Sequence, residues 1–115
     1  MKTPIKPKHL DAKRASILCS HGVTKEISQG IENYSGKHIN AEVFEEQMDY
    51  IARYLNPICV QQLMASLKAG SFTPGSVAVT FDDGYENNYT TAWPILEKYQ
   101  IPATIYLTTG YIGNP

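Results

Sequence analysis

The stretch Val77-Ala-Val-Thr-Phe-Asp-Asp-Gly-Tyr85 decides the fold prediction. Its first five residues are rich in β-forming side chains and predict a short buried strand. Asp82 and Asp83 follow at the carboxyl end of that strand, and Gly84 allows a sharp turn because glycine tolerates positive φ. Since side chains alternate along an extended chain, we expect the two carboxylates to point in different directions. Acids at this end of a buried strand are typical of catalytic sites in parallel α/β folds.

The acid-acid-glycine triplet, residues 82–84, also fits an ordinary turn. Asp-Gly is a common turn dipeptide, and aspartate is a favourable helix N-cap. On these three residues alone the turn is the simpler interpretation. The surrounding chain therefore has to decide between a turn and a catalytic site.

Segments with strand-like and helix-like patterns alternate along the chain. We predict strands near residues 15–20, 58–60, 77–81 and 103–107, and helices near residues 41–55, 61–69 and 91–99. This alternation predicts parallel strands that are joined by right-handed crossovers. His21 ends the first strand, so we expect it at the same sheet edge as Asp82 and Asp83. Its placement fits equally a structural residue that holds a loop and a neighbour of an active site.

Apolar spacing predicts which helix faces are buried. Asn40 is expected to cap the first helix, whose buried stripe comprises Phe44, Met48, Ile51 and Leu55. The second helix is expected to end at Gly70 and to bury Leu63, Met64 and Leu67. Trp93, in the third helix, fits either the core or a cleft wall, and the core is preferred.

The polar segments carry fewer signals. Residues 1–14 are interpreted as an irregular lead-in, and residues 24–37 as a loop that could frame a substrate cleft. His38 precedes a helix start and is interpreted as a surface residue rather than a ligand.

The order of short motifs around the acids is more specific than any single motif. The motifs are Thr80-Phe-Asp-Asp-Gly-Tyr85, Asn88-Tyr89, Pro94-Ile-Leu96, Ile101-Pro-Ala-Thr104 and Thr108-Thr-Gly110, with weaker ones at Ile17-Leu18, His21-Gly-Val23, Phe44-Glu45 and Gln47-Met48. In this order they resemble the amino-terminal half of a polysaccharide deacetylase of the NodB-homology type. The resemblance implies an α/β fold over residues 15–115, namely a partial (β/α) barrel with parallel strands, roughly half of such a barrel. Gln100 stands where the family usually has glycine.

The resemblance also implies a chemistry, the metal-dependent hydrolysis of N-acetyl groups on a carbohydrate or polysaccharide. It assigns Asp83 as a ligand of a divalent metal, zinc in the first place, and Asp82 as the catalytic general base. Gly84 would let the loop pass close to the site, and Tyr85 would pack beneath it or touch substrate. His21 is implied to lie near the site, without a role as metal ligand.

One part of the family pattern is missing from this sequence. The family supplies two further metal ligands as a His-x-x-x-His pair, whereas His9, His21 and His38 do not have this spacing. We therefore expect catalysis only as part of a complete domain, and weak metal binding by this chain alone. The main alternative is a non-catalytic, truncated α/β fragment that acts as an assembly or binding subunit. An Asp-nucleophile phosphotransferase is disfavoured because Gly84 occupies the position of its second acid.

Composition narrows the partners. The chain has 115 residues, 43% hydrophobic residues and a net charge of −1, which suits one folded domain and gives no electrostatic case for nucleic acid. We see no membrane span and no signal peptide, and expect a cytoplasmic protein whose Cys19 and Cys59 are free, buried thiols. Half a barrel would leave apolar surface uncovered, so we expect a homo-oligomer or a complementing downstream fragment.

Overall fold

The computed structural model describes residues 10–26 and 36–113. The strands are β1 (Ser16–Ser20), β2 (Gly22–Thr24), β3 (His38–Asn40), β4 (Asn56–Pro57), β5 (Ser76–Phe81) and β6 (Ala103–Ile105). The α-helices are α1 (Ala41–Tyr54), α2 (Val60–Ala69) and α3 (Trp93–Lys98). A π-helical turn at Asn88–Ala92 leads into α3, and a 3-10 turn covers Thr109–Tyr111.

Strand β5 is the centre of the main sheet, and all its pairings are parallel as predicted. Its neighbour on one edge is β1, with Ser16 opposite Val77 and Ser20 opposite Phe81. The other edge is shared by two short strands, since β4 pairs with the start of β5 and β6 with its end. The α/β class expected from the alternating segments is confirmed.

The core forms where α1 packs on β5. Every residue of β5 is buried, as expected for a strand covered on both faces. Helix α1 buries Phe44, Met48 and Ile51, the stripe predicted from their spacing. The ring of Phe44 lies 5.8 Å from the ring of Phe81, centroid to centroid. Each fully buried side chain of this size contributes roughly 1.5–3 kcal/mol to stability.

The amino terminus of α1 is capped as the sequence predicted. The side-chain oxygen of Asn40 accepts a hydrogen bond of 2.8 Å from the backbone N–H of Glu42. This bond satisfies one of the otherwise unpaired amides of the first turn. It also fixes where β3 ends and α1 begins, which places β3 beside the site described below.

The segment between α1 and β5 corrects two predictions. The strand expected at residues 58–60 lies at Asn56–Pro57 instead, because Cys59 caps α2 and its backbone N–H donates to the side chain of Gln62 over 3.1 Å. Helix α2 buries Leu63, but Met64 and Leu67 are exposed. A single apolar residue of this short helix reaches the sheet, so its buried face is narrower than the spacing predicted.

The third helical region begins earlier than predicted and is not uniform. Its π-helical turn starts at Asn88, and the α-helical part follows with Pro94 in its first turn. A proline lacks the N–H that a continuous α-helix would use, and a widened preceding turn accommodates this loss. The interpretation of Trp93 as a core residue is wrong, because its surface is 52% exposed. Leu96 occupies the core position instead.

A second, small sheet was not predicted. Strands β2 and β3 pair in parallel, with Gly22 opposite His38 and Asn40 opposite Thr24. Each strand has three residues, which is too short for a periodic pattern. The polar loop expected at residues 24–37 falls largely on residues 27–35, which lie outside the described part of the chain, as does most of the lead-in.

Two further expectations concern cysteines and membranes. Cys19 and Cys59 are free, as predicted, but they are not buried: Cys19 is exposed and Cys59 is half-buried. The thiol of Cys19 is exposed because β1 has no neighbour on its outer edge within the described residues. Among those residues, none of the helices combines the length and apolar character needed to cross a bilayer.

Candidate active site

The register of β1 and β5 brings His21 and Asp82 to one edge of the sheet. Ser20 pairs with Phe81, and the backbone N–H of Asp82 extends the ladder by donating to the carbonyl of Ser20 over 2.9 Å. His21 and Asp82 are therefore the first residues beyond two neighbouring parallel strands. This is the placement that the strand order predicted, and the roles of these residues stay predictions.

The carboxylate of Asp82 faces β1. Its Oδ2 accepts from the thiol of Cys19 at 3.5 Å and lies 4.0 Å from Nε2 of His21. The Asp82 side chain is 43% exposed, so a water molecule or a substrate can reach it. The role of Asp82 as a general base stays a prediction.

Asp83 adopts an unusual backbone conformation. Its φ is 72°, in the left-handed region that few residues other than glycine occupy. The next residue, Gly84, has a φ of 64°, so the chain turns through two successive left-handed residues. Oδ2 of Asp83 lies 3.9 Å from Nζ of Lys37. Backbone strain of this kind is concentrated at functional sites in proteins.

Gly84 is required by its neighbour as well as by its φ. A Cβ at this position would lie 2.7 Å from Cδ2 of Leu107, closer than carbon atoms approach in proteins. Residues 82–84 are called the acid loop. Leu107 follows β6, so the segment after that strand lies directly against the acid loop. The expectation that Gly84 lets the loop pass close to the site stays a prediction.

Tyr85 and His38 form a platform beneath the acid loop. Their rings meet edge to face with centroids 4.8 Å apart. The His38 ring also covers Gly22, where a Cβ would lie 1.8 Å from Nδ1 of His38. The amide of Asn87 completes the platform by accepting from the backbone N–H of Val23 at 3.1 Å. The interpretation of His38 as a surface residue is therefore wrong, because it is half-buried between two elements that carry site residues.

Asn88 fixes the backbone of His21. Its side-chain Nδ2 donates to the carbonyl oxygen of His21 over 2.7 Å, and the residue is only 3% exposed. Within the described part of the chain its Oδ1 has no hydrogen-bond partner. Asn88 belongs to one of the motifs of the family resemblance, but no function was predicted for it. Its position four residues after Gly84 is the feature of the sequence that could have indicated a place near the site.

The described residues do not complete a metal site. Asp82, Asp83 and His21 carry suitable ligand atoms, yet over residues 10–26 and 36–113 no three histidine, cysteine or acidic side chains converge closely enough to hold an ion. Oδ2 of Asp82 contacts Cys19 and lies near His21, whereas Oδ2 of Asp83 lies near Lys37, so the two carboxylates have different partners. The arrangement offers single carboxylates rather than a coordination shell.

Comparison with known proteins bears on what this edge does. Residues 69–115, which include β5, the acid loop and β6, match the model of the polysaccharide deacetylase family. The predicted family resemblance is confirmed. The chain is 37% identical over 91 residues to the poly-β-1,6-N-acetyl-D-glucosamine N-deacetylase of Staphylococcus aureus. The protein of the same name from Staphylococcus epidermidis is 33% identical over 88 residues.

Only part of each relative is represented. The match covers 76% of this chain and 29% of the length of these deacetylases. The solved structure of IcaB from Ammonifex degensii is similar to this chain with a TM-score of 0.70 and 28% identity. The match covers 90% of this chain and 41% of the IcaB chain. Streptococcus pyogenes deacetylase PplD, solved in complex with acetate, has a TM-score of 0.75 at 23% identity, and 47% of it is covered. These likenesses support the α/β fold with parallel strands.

Proposed function

We propose that this chain contributes the acid pair for hydrolysis of acetamido groups on an N-acetylated polysaccharide. The observation that carries the proposal is the placement of Asp82 and Asp83 directly beyond β5, where the two carboxylates have different partners and Asp83 has a left-handed φ. The polysaccharide deacetylase family match spans these residues. The relatives named above act on poly-β-1,6-N-acetyl-D-glucosamine, which makes a β-linked N-acetylglucosamine polymer the first substrate to test.

In the proposed reaction Asp82 is the general base. Its carboxylate removes a proton from a water molecule as the water oxygen attacks the acetyl carbonyl carbon. The C–N bond then breaks, the proton passes to the leaving nitrogen, and acetate and a free amino sugar result. Cys19 and His21 lie on the side of Asp82 that faces β1, which leaves its other side for water.

Asp83 is proposed to supply one ligand of a divalent metal, zinc in the first place. Because the described residues do not complete a metal site, further ligands must be added to Asp83 before an ion is held firmly. We propose that a segment carrying His-x-x-x-His, from outside this sequence, provides them. Gly84 and Tyr85 are proposed to shape the site, and His21 to border it.

The sheet is proposed to be part of a larger (β/α) barrel. The outer edge of β1 has no partner strand within the described residues, and Ile17 in its middle is 58% exposed. A groove of about 860 Å³ lies between β1 and α1, with Ile17, Val43 and Tyr50 among its lining residues. Covering this groove would bury apolar surface, which favours a complementing fragment or a second copy of the chain.

A complementation assay tests the proposal. Acetate release from N-acetylglucosamine oligomers is measured for the chain alone, and then with the His-x-x-x-His portion of a polysaccharide deacetylase. We expect acetate from the mixture with zinc and none from the chain alone. Release by the chain alone would show that the missing ligands lie within it. A stable complex of the two parts, seen by sedimentation, that releases no acetate would reject de-N-acetylation.

The second candidate function is that of a non-catalytic assembly subunit, which the uncovered groove beside β1 favours. It predicts a dimer or larger species of the chain alone, and the same sedimentation measurement tests it. A monomer at micromolar concentration would contradict this alternative, and would not affect the proposed catalytic role of the acid pair.

A further inference from the structure

Lys37 is the cation that the fold presents to Asp83. Its Nζ lies 3.9 Å from Oδ2 of Asp83, and the two side chains are 45% and 41% exposed. The two residues are 46 positions apart, so no local sequence pattern connects them. The pair lies at the edge of the sheet that carries the acid loop.

The backbone on both sides of this pair is constrained. The carbonyl of Lys37 accepts a hydrogen bond of 2.9 Å from the backbone N–H of Gly22, which ties Lys37 to β2. Asp83 is constrained by its left-handed φ and by the contact between the next residue, Gly84, and Leu107. The backbone positions of Lys37 and Asp83 are therefore set by contacts outside the ion pair.

Asp82 does not share Lys37. Its carboxylate is directed to Cys19 and His21 on β1 and just beyond it. The positive charge of Lys37 is thus available to Asp83, the residue proposed above as a metal ligand. An ammonium and a divalent cation cannot both approach one carboxylate oxygen closely without repelling each other.

We propose that Lys37 is a built-in counter-ion of Asp83 that competes with divalent cations for its carboxylate. This inference rests on the proposed function, because it takes Asp83 as the ligand. Among the described residues, the positive charge beside Asp83 is that of Lys37. In the part of the chain that the structure describes, no two further ligands converge with the Asp83 carboxylate to hold an ion there. Lys37 acts through Asp83 and is a positioning residue, and its ammonium would lower the affinity of that carboxylate for a lone divalent ion.

The expected size of this effect is modest. A partly exposed ion pair of this length shifts an equilibrium by up to about fivefold, and repulsion of the ion by the ammonium adds to this. Neutralising Lys37 should therefore raise the affinity for a divalent cation by about fivefold. Because both charges are partly exposed, 0.5 M NaCl should reduce the difference.

The experiment is a titration of the chain with MnCl2, followed by paramagnetic broadening of the amide resonances of residues 82–85. Lys37→Met removes the competing charge, and Lys37→Arg keeps it. Lys68→Met is the matched control, because Lys68 is an exposed lysine in the last turn of α2 and its loss changes the net charge equally. Asp83→Asn tests the ligand itself, and resonances of α1 show that each variant is folded.

We expect half-broadening at about one-fifth of the wild-type manganese concentration for Lys37→Met. Lys37→Arg and Lys68→Met should stay within about 1.5-fold of wild type. Equal behaviour of Lys37→Met and Lys68→Met, with Asp83→Asn losing the broadening, would overturn the role of Lys37 alone. Wild-type broadening in Asp83→Asn would overturn the ligand role of Asp83, and with it the competition at that carboxylate.

Discussion

Gly84 and Leu107 are in contact at a distance that no side chain on residue 84 could share: a Cβ there would lie 2.7 Å from Cδ2 of Leu107. The contact joins the acid loop to the segment after β6. The direction of the Asp83 carboxylate consequently depends on the position of a neighbouring strand, as well as on the loop's own sequence.

Gly84→Ala should therefore destabilise the fold by more than its φ penalty. An alanine at left-handed φ costs about 1–2 kcal/mol, and displacing Leu107 adds to this. Urea unfolding followed by circular dichroism measures the change. Gly70→Ala is the control, because Gly70 has a φ of 83° with no atom within 4 Å of a Cβ. Equal losses in the two variants would show that Leu107 yields without cost, whereas Gly84→Ala in a Leu107→Ala background should recover the excess.

Gln100 is a second residue in a left-handed conformation, with a φ of 54°. It follows α3, at the position where the family usually has glycine. Gln100→Gly should raise the free energy of unfolding by about 0.5–1 kcal/mol, since glycine adopts this φ without strain. Gln61→Gly, on the exposed side of α2, should lower it by a similar amount. A loss of stability in Gln100→Gly would show that the glutamine makes compensating contacts.

The two acids should differ when they are tested in the complemented enzyme. Asp82→Asn should leave bound zinc in place and lower turnover by about 100-fold to 10,000-fold, because an amide cannot accept the proton from water. Asp83→Asn should mainly weaken zinc binding. Zinc content after dialysis and acetate release, measured on the same samples, separate the two effects. Loss of zinc in Asp82→Asn but not in Asp83→Asn would mean that the roles are exchanged.

The link between α1 and α3 should depend on pH. Hydrogen bonds from Lys98, and then from Tyr99, lower the pKa of Glu45 below its ordinary value. The same bond to Glu45 raises the pKa of Lys98, and burial followed by the bond to Glu45 raises that of Tyr99. Because the pKa of Glu45 is depressed, its contribution is present above the unfolded-state value near 4.5 and disappears as pH falls through the folded value. Since the pKa of Lys98 is raised, its contribution is lost only as pH rises above about 10.5.

Glu45→Gln should accordingly lower the melting temperature by a few degrees at pH 7, and this difference should shrink as the pH falls below 4.5. Glu46→Gln, an exposed neighbour on the same helix, serves as control. Melting curves recorded from acidic pH to pH 9 give the comparison. A difference that does not shrink as the pH falls would indicate that Glu45 stabilises the helices through packing rather than charge.

The features that sequence predicted are those that rest on local periodicity. The stripe of Phe44, Met48 and Ile51 follows from helical spacing, and β5 follows from a run of β-forming residues between turn signals. The acids at its end follow from the same run. Their placement beside His21 needed only the assumption of parallel strands.

The features that sequence missed depend on contacts between distant segments. Cys19 meets Asp82, Lys37 meets Asp83, and His38 covers Gly22 and contacts Tyr85, and each of these contacts joins residues that are far apart in the sequence. Three-residue strands carry no periodic signal, so β2 and β3 were invisible and His38 was assigned to the surface. Trp93 was assigned to the core from its apolar ring, and the structure leaves it 52% exposed.

The central position of β5, which pairs with β1, β4 and β6, has a consequence for synthesis on the ribosome. Ser16 pairs with Val77, 61 positions later, and β4 and β6 also find their partner only in β5. At about 5–20 residues per second, β1 would wait roughly 3–12 s after its own synthesis before β5 is made. Until then none of the strands in this sheet has a neighbour, so the exposed edge of β1 is the segment most vulnerable to pairing with another nascent chain.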